Sequence, residues 1–262
     1  MILALLLVSQ FHHALVARKA ASAPPSWSNT YSCKYAGTST SDAGRTNFGQ
    51  PAAWCNNLSS TAFSFSFWFK RNGDDGTLFA MADQSSNSHW RIDVSGTSLD
   101  NMYAGGQYIY TACGTTITNN TWYLVTMAFT GSGGVRVYVG NSSTSCIGAF
   151  SSVGSDLCTR DALINTLRSS TNSDIAFGQW GLHNIDELTI WNTELSGTDH
   201  VNLQSSGHAI NPATHAKAAN LIDYYRCGDD PDDSSSVLND TVGSADGAHS
   251  GSAGVTYQAA VP

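Results

Sequence analysis

The residues that could bind a carbohydrate are concentrated between positions 90 and 110. A sugar ring has an apolar face and a rim of hydroxyl groups, so its site needs an aromatic platform beside hydrogen-bonding side chains. The stretch MYAGGQYIY supplies both, and an indole precedes it. The candidate sugar-binding residues are Trp90, Tyr103, Gln107, Tyr108 and Tyr110. Alternatively, Tyr108 and Tyr110 share the buried face of a strand and serve only the core.

No constellation of residues in the sequence supports catalysis. Asp186 and Glu187 are neighbours on a predicted strand and should point to opposite faces, whereas paired carboxylates must flank one bond. We expect a buried, turn-bonding Asp186 and a solvent-facing Glu187. There is no G-x-S-x-G motif, and the eight histidines are dispersed without metal-binding pairs. The sequence therefore predicts a protein that is not an enzyme.

Charge and cysteine content restrict the partners. The chain has 262 residues, a net charge of −8 and twelve Lys and Arg residues, which are scattered singly or in pairs. No basic stripe could neutralise phosphates, which excludes nucleic acid as a partner. The six cysteines contain no C-x-x-C pair, so we expect one or two disulfides of open connectivity.

Residues 1–25 form a separate N-terminal segment. Its apolar run at residues 2–8 suits the h-region of a signal peptide and is far too short to span a membrane. Arg18 and Lys19 follow this run, whereas a signal peptide has its basic residues before it. The segment is therefore either a signal-like sequence or an arm that docks on a neighbouring subunit.

Residues 26–262 are predicted to form one all-β domain. Segments with a side-chain period of two recur between turns rich in Gly and Asn. In FSFSFWFK, the four phenylalanines at residues 63–69 share one face, and Ser64, Ser66, Trp68 and Lys70 share the other. Further strands are predicted at residues 29–35, 77–82, 89–94, 108–113, 122–130, 135–139, 174–177, 185–191 and 221–226. Such strands favour a two-sheet antiparallel sandwich.

Only short helices are predicted. Ser196 followed by Asp199 has the pattern of a capping box, which predicts a helix over residues 196–204. Residues 161–168 are expected to form one or two helical turns inside a long connection.

Several stretches resemble the laminin-G-like, concanavalin A-like jelly-roll superfamily. They are FSFSFWFKR, the hairpin TNNTWYLVTMAFTGSGGVRVYVG and the closing segment NIDELTIWNTELSGTDHVNLQSSG. The opening NTYSCKYAGTSTSDAG and the tail, NLIDYYRCGDD followed by LNDTVGSADGAHSGSAGVTYQAAVP, are similar to the ends of jelly-roll proteins encoded by tailed phages and marine viruses. The resemblance implies a laminin-G-like jelly roll over residues 29–262 with one short helix.

The resemblance also implies a cofactor. Laminin-G-like domains often hold Ca²⁺ at the rim of the sandwich, and oxygen ligands suit this hard cation. The candidate ligands are Asp229, Asp230, Asp232 and Asp240. The alternative for this acidic tail is a solvated loop. Glucanases of the superfamily carry E-x-D-x-x-E on one strand, a motif that this sequence lacks.

We therefore expect a non-enzymatic structural or binding protein, a virion appendage or decoration subunit with a carbohydrate-binding surface. Its expected partners are other copies of itself, neighbouring structural subunits and surface glycans, and its expected location is the virion or the extracellular space. A secreted, disulfide-linked lectin or adhesion module is the alternative, favoured by the apolar N-terminus, the even cysteine count and four N-x-S/T sequons. A glucan hydrolase is a weaker alternative.

Overall fold

The computed structural model describes residues 27–36, 44–49, 54, 62–73, 76–81, 90–100, 102–104, 107–109, 115–129, 134–140, 146–149, 162–164, 183–250 and 254–262. The N-terminal segment 1–25 and the strand predicted at residues 174–177 lie outside this part of the chain.

Nineteen strands and one α-helix are found in the described residues. In chain order the first strands are β1 (Ser32–Tyr35), β2 (Arg45–Asn47), β3 (Phe63–Arg71), β4 (Gly76–Met81), β5 (Trp90–Ser95), β6 (Ser98–Asp100), β7 (Met102–Ala104), β8 (Gln107–Ile109), β9 (Trp122–Phe129) and β10 (Gly134–Val139). They are followed by β11 (Cys146–Ala149), β12 (Ala162–Ile164), β13 (His183–Trp191), α1 (Gly197–Val201), β14 (Gln204–Ser205), β15 (His208–Ala209), β16 (Leu221–Tyr225), β17 (Val237–Leu238), β18 (Gly247–Ser250) and β19 (Val255–Gln258). Two 3₁₀ turns span Pro212–Thr214 and Ala218–Asn220.

The strands form the two antiparallel sheets of a jelly-roll sandwich, as the sequence predicts. The first sheet has the order β11-β10-β9-β3-β13-β1-β19, and β16 also pairs with β13. The second sheet has the order β17-β18-β2-β12-β4-β5-β6. The pairs β7–β8 and β14–β15 form separate hairpins.

The inner face of β3 builds the core between the sheets. Its four phenylalanines are buried, and the Phe65 ring centroid lies 4.9 Å from that of Phe63 and 5.8 Å from that of Phe129. It also lies 5.0 Å from the ring centroid of Phe79, which belongs to β4 of the second sheet. The phenylalanine row therefore joins the two sheets.

A second, smaller core lies on the outer face of the first sheet. Residues 192–220 cover part of this face, and the buried side chains between them and the sheet are Trp68, Leu124, Trp191, Leu195, Leu203, Ala209, Leu221 and Tyr224. His200 on α1 anchors the cover through hydrogen bonds of 2.8 Å to the Thr126 hydroxyl and the Gly140 carbonyl. Trp68 is thus buried although it shares the face of Lys70.

The helix predicted over residues 196–204 is confirmed, but it ends earlier than predicted. Ser196 Oγ accepts the Asp199 amide at 3.2 Å, and Asp199 Oδ2 accepts the Ser196 amide at 2.8 Å, which completes the capping box. The helix ends at Val201 because Gln204 pairs with Ala209 in the β14–β15 hairpin.

The prediction of helical turns over residues 161–168 is wrong for residues 162–164, which are the part of this range that the structure describes. Ala162–Ile164 form β12, which pairs with β2 on one side and β4 on the other. Hydrogen bonds to strands on both sides outweigh the weak local preference for helix.

Phe65→Ala should lower the free energy of unfolding by about 3–5 kcal/mol, because it leaves a cavity where the sheets meet. Urea denaturation of the purified protein measures this loss. Tyr31→Ala is the matched control, since Tyr31 is 41% exposed and its removal should change stability by only about 0.5 kcal/mol. Equal losses in the two variants would contradict the assignment of Phe65 to the core.

Candidate functional site

A row of five residues crosses the outer face of the first sheet, beyond the part that residues 192–220 cover. Strand register places them directly opposite one another in the order Trp122, Lys70, Asn184, Lys34 and Thr256, on strands β9, β3, β13, β1 and β19. Opposite residues of paired strands present their side chains on the same face. We call these five residues the outer row. It combines an aromatic ring, two ammonium groups, an amide and a hydroxyl.

Asn184 lies at the centre of the outer row and is held by hydrogen bonds. Its Oδ1 accepts the side-chain amide of Asn72 at 2.7 Å, and its Nδ2 donates to Ser32 Oγ at 2.9 Å. Nδ2 also lies 3.4 Å from Gln258 Oε1. Asn184 is fully buried, whereas Asn72 and Gln258 are half-buried at its flanks. The row therefore has an ordered polar floor between more accessible amides.

The aromatic and cationic members of the outer row interact with each other. Lys70 Nζ lies 5.2 Å from the centroid of the Trp122 ring, a cation–π contact. Partial burial lowers the pKa of Lys70, and the charge of Lys34 lowers it further. Within the described part of the chain, neither lysine forms an ion pair with a carboxylate. Among the described residues, the two positive charges therefore have no carboxylate partner at this face.

The sugar-binding residues predicted from the sequence lie elsewhere. Trp90 begins β5 of the second sheet, which lies beside β7. In the β7–β8 hairpin, Tyr103 is opposite Tyr108, and Gln107 is opposite Ala104. Tyr110 lies outside the described residues. The backbone therefore brings four of the five predicted residues into neighbouring strands, and their role in sugar binding stays a prediction.

The acidic residues proposed as calcium ligands are largely occupied by hydrogen bonds of their own loop. Asp229 Oδ2 accepts the main-chain amides of residues 30 and 31 at 2.7 and 3.1 Å. Asp230 accepts the Asp232 amide at 2.9 Å and the Thr241 hydroxyl at 3.0 Å. Asp232 itself is exposed. The first two carboxylates thus fasten the tail to β1 and close a turn.

Asp240, the fourth candidate calcium ligand, accepts hydrogen bonds from more main-chain amides than the other three candidates do. Its two carboxylate oxygens accept the main-chain amides of residues 224, 242, 243 and 245 at 2.9–3.1 Å. Within the described residues, no three His, Cys, Asp or Glu side chains come together as metal ligands. The carboxylates suit a hydrogen-bonded loop better than a calcium site, and calcium binding stays a prediction.

Asp186 and Glu187 lie at a bulge in β13, and the expectation of a solvent-facing Glu187 is wrong. The register with β3 shifts between Asp186 and Thr189, and Glu187 has a φ of +50°. Regular alternation therefore breaks at this point. Glu187 is only 5% exposed, and Asp186, as expected, is buried and bonds a local amide, that of Glu187, at 2.9 Å.

Burial raises the pKa of both carboxyl groups. Desolvation raises the pKa of Glu187 to about 8, although the Tyr224 hydroxyl donates to Glu187 Oε2 and opposes this shift. Desolvation, followed by the charge of Glu187, raises the pKa of Asp186 well above its ordinary value. Glu187 Oε1 and Asp186 Oδ2 are buried and have no hydrogen-bond partner among the residues that the structure describes. Neither group is accessible enough to serve as a carboxylate in hydrolysis.

A small cavity lies beside Glu187. It is lined by Glu187, Ser66, Trp68 and Thr189 together with residues of the covering segment. Its volume of about 10 Å³ has room for one water molecule. This cavity is therefore too small to hold a sugar ring.

Cys33 and Cys227 meet at the same bulge. Both are buried and unbridged, and each thiol is close enough to influence the pKa of the other. Burial raises the pKa of both thiols, so they are protonated at neutral pH. The side chains of the remaining four cysteines lie outside the described part of the chain, and the predicted disulfides stay a prediction.

The family follows from a comparison of the sequence with family models. A laminin-G-type model, described as the concanavalin A-like lectin/glucanases superfamily, matches residues 44–199. The chain belongs to this superfamily. The match begins just before β2 and ends in α1, and thus includes β3, β9 and β13, which carry three residues of the outer row.

Solved structures show the same fold. A proposed carbohydrate-binding protein of Bacteroides ovatus has a TM-score of 0.56 and 15% identity over 88% of this chain, which spans 60% of that protein. The heptameric SAP-like pentraxin of Limulus polyphemus has a TM-score of 0.52 and 13% identity over 88% of this chain and 96% of its own. No curated protein sequence matches the chain. None of the helices in the described residues has the length and apolarity needed to span a membrane.

The outer row was missed by sequence reasoning, although part of its signal was present. The alternation in β3 places Lys70 and Trp68 on the polar face, opposite the phenylalanines. The partners of Lys70 on the neighbouring strands depend on register between segments that are more than 30 residues apart along the chain. A single strand pattern contains no information on that register.

Glu187→Gln should make stability less dependent on pH. The folded-state pKa of Glu187 is about 8 and its ordinary value is 4.5, so the folded protein retains a proton that the unfolded chain releases. The contribution of Glu187 to the free energy of unfolding is fully present below pH 4.5 and is lost as pH rises toward 8. Urea denaturation should therefore show the variant to be more stable than wild type at about pH 9 and similar to it at about pH 4.

The matched control for this experiment is Glu194→Gln, which removes a half-buried carboxylate that bonds to Arg136. It should not reproduce the gain at alkaline pH. Asp223, whose pKa burial and the neighbouring Asp240 raise to about 8, leaves some pH dependence in both variants. A Glu187→Gln protein that loses stability in parallel with wild type would contradict the burial of a protonated Glu187.

Proposed function

We propose that the protein is a non-enzymatic carbohydrate-binding protein and that the outer row is its glycan site. The observation that carries the proposal is the alignment of Trp122 with the polar side chains of Lys70, Asn184, Lys34 and Thr256 on one sheet face. This arrangement provides the two features that sugar recognition needs, an aromatic surface and convergent hydrogen-bonding groups.

The dimensions of the outer row suit an extended oligosaccharide. Five neighbouring strands are spaced about 4.8 Å apart, so the row is about 19 Å long. Trp122 stands at one end and is half-buried against the second core, which fixes the plane of its ring. Thr256 is exposed at the other end, and Gln258 flanks it. A sugar stacked on the ring could therefore extend over the lysines toward the hydroxyl.

The arrangement of carboxyl groups supports binding without hydrolysis. Glycosidases place two accessible carboxyl groups on either side of the bond that they cleave. The outer row itself contains no acidic residue. The nearest acidic residue along β13, Asp186, is buried, and desolvation raises its pKa. The Bacteroides neighbour, itself proposed to bind carbohydrate, is consistent with a binding role for this fold.

Within this function, we propose a structural role as an appendage or decoration subunit of a virus particle. Its support is the resemblance of both ends of the domain to jelly-roll proteins of tailed phages and marine viruses. In this role residues 1–25 would act as an assembly arm toward other copies or neighbouring subunits. The alternative is a secreted lectin or adhesion module, and the proximity of Cys33 to Cys227 favours it, because these thiols could be bridged in an oxidising compartment.

Trp122→Ala should abolish binding on a glycan array, whereas Trp122→Phe should retain part of it, because a smaller ring still provides a stacking surface. Thermal unfolding of both variants checks that the fold is intact. Incubation of the wild-type protein with a panel of β-glucans should release no sugar. Binding that survives Trp122→Ala would exclude the outer row, and sugar release would favour the glucan hydrolase.

Intact mass spectrometry of the protein from its natural source separates the two biological settings. A virion subunit should have the mass of the chain from Met1 with reduced cysteines. A secreted lectin should lack about the first two dozen residues, as signal-peptide cleavage predicts, and should change mass on reduction. The second result would refute the assembly arm and leave the glycan site unaffected.

A further inference from the structure

We propose that the outer row selects acidic glycans and that Lys34 and Lys70 hold the anionic group of the sugar. This inference rests on the proposed glycan-binding function and specifies its ligand class. The anionic group is a carboxylate or a sulfate, because both present the negatively charged oxygens that ammonium groups bind.

Register brings the two lysines together. Lys70 and Lys34 are both directly opposite Asn184, so their backbones are separated by two strand spacings, about 10 Å. Lysine has a flexible four-carbon stem and three donors on its ammonium group. Two such stems on one face can converge on a single anionic group above Asn184. The buried Asn184 amide forms the floor between them.

Two positive charges lie close together on this face of an acidic protein. The chain has a net charge of −8 and only twelve Lys and Arg residues. Of the other cations in the described residues, Arg136 pairs with Glu194 at 2.5 Å and Lys217 with Asp199 at 2.8 Å, whereas three arginines donate to hydroxyl or carbonyl oxygens. Lys34 and Lys70 instead face each other, and their repulsion contributes to the lowered pKa of Lys70. A bound anion would relieve this repulsion.

The contact between Lys70 and Trp122 indicates how a ligand would be accommodated. In the free protein the Lys70 ammonium lies over the indole ring, 5.2 Å from its centroid. An anion between the lysines would attract this ammonium toward Asn184 and away from the ring. The exposed ring surface would then accept the apolar face of the adjoining sugar. One movement thus prepares both the ionic contact and the stacking contact.

The test uses an array of matched glycan pairs, each with an acidic member and a neutral one. The pairs are oligogalacturonates with their methyl esters, sulfated chondroitin fragments with desulfated ones, and sialylated glycans with desialylated ones. The wild-type protein should bind at least one acidic member about tenfold more tightly than its neutral partner, and added salt should weaken that binding. The pair that responds distinguishes a carboxylate from a sulfate.

The variants are Lys34→Gln, Lys70→Gln and the double variant, with Arg136→Gln as the matched control on the same sheet. The double variant should lose about tenfold or more of its affinity for the acidic member, whereas the control should lose none. Thermal unfolding confirms that each variant is folded. Acidic binding that survives the double substitution, or equal binding of acidic and neutral partners, would overturn the inference.

The outcomes also separate this inference from the proposed function. Binding of neutral glycans alone, abolished by Trp122→Ala, would leave the proposed function intact and refute the selection of acidic ligands. Absence of binding to every glycan on the array would refute both.

Discussion

The two-residue period of β3 is the constraint on which the rest of the structure depends. Because this strand lies near the centre of the first sheet, each of its faces must satisfy a different environment. The phenylalanines meet β4 of the second sheet and close the sandwich. The opposite face begins under the covering segment, where Ser64 Oγ accepts the Leu195 amide, and ends at Lys70 in the outer row. One strand thus supplies both the core and the candidate site.

β13 adds a second constraint, because two strands share one of its sides. β1 pairs with its first half and β16 with its second half. The bulge at Asp186 and Glu187 lies where these two partners meet, and the tail after β16 is fastened there by Asp229. This junction leaves two carboxyl groups desolvated and two thiols buried. It also makes the sheet continuous, so that Lys34 on β1 and Thr256 on β19 are aligned with Lys70.

The combination of these constraints separates stability from binding. Among the described residues, the carboxyl groups of Asp186 and Glu187 are buried in the bulge, and that of Asp240 caps main-chain amides in the tail. The side chains left at the outer row are an aromatic ring, amides, a hydroxyl and two lysines. These groups bind ligands well but include no acid or base of suitable position for hydrolysis. This distribution of residues is the basis of the binding function proposed above.

The sequence by itself determined the elements with strong local patterns. The phenylalanine alternation predicted β3 and its buried face, the Ser196 capping box predicted α1, and the resemblance of three segments predicted the jelly roll. Weak local signals failed: residues 162–164 pair as a strand, and Glu187 is buried at a bulge. Only the tertiary structure decided which residues stand opposite Lys70. Strand register is fixed by long-range packing, so the outer row could not be read from any single segment.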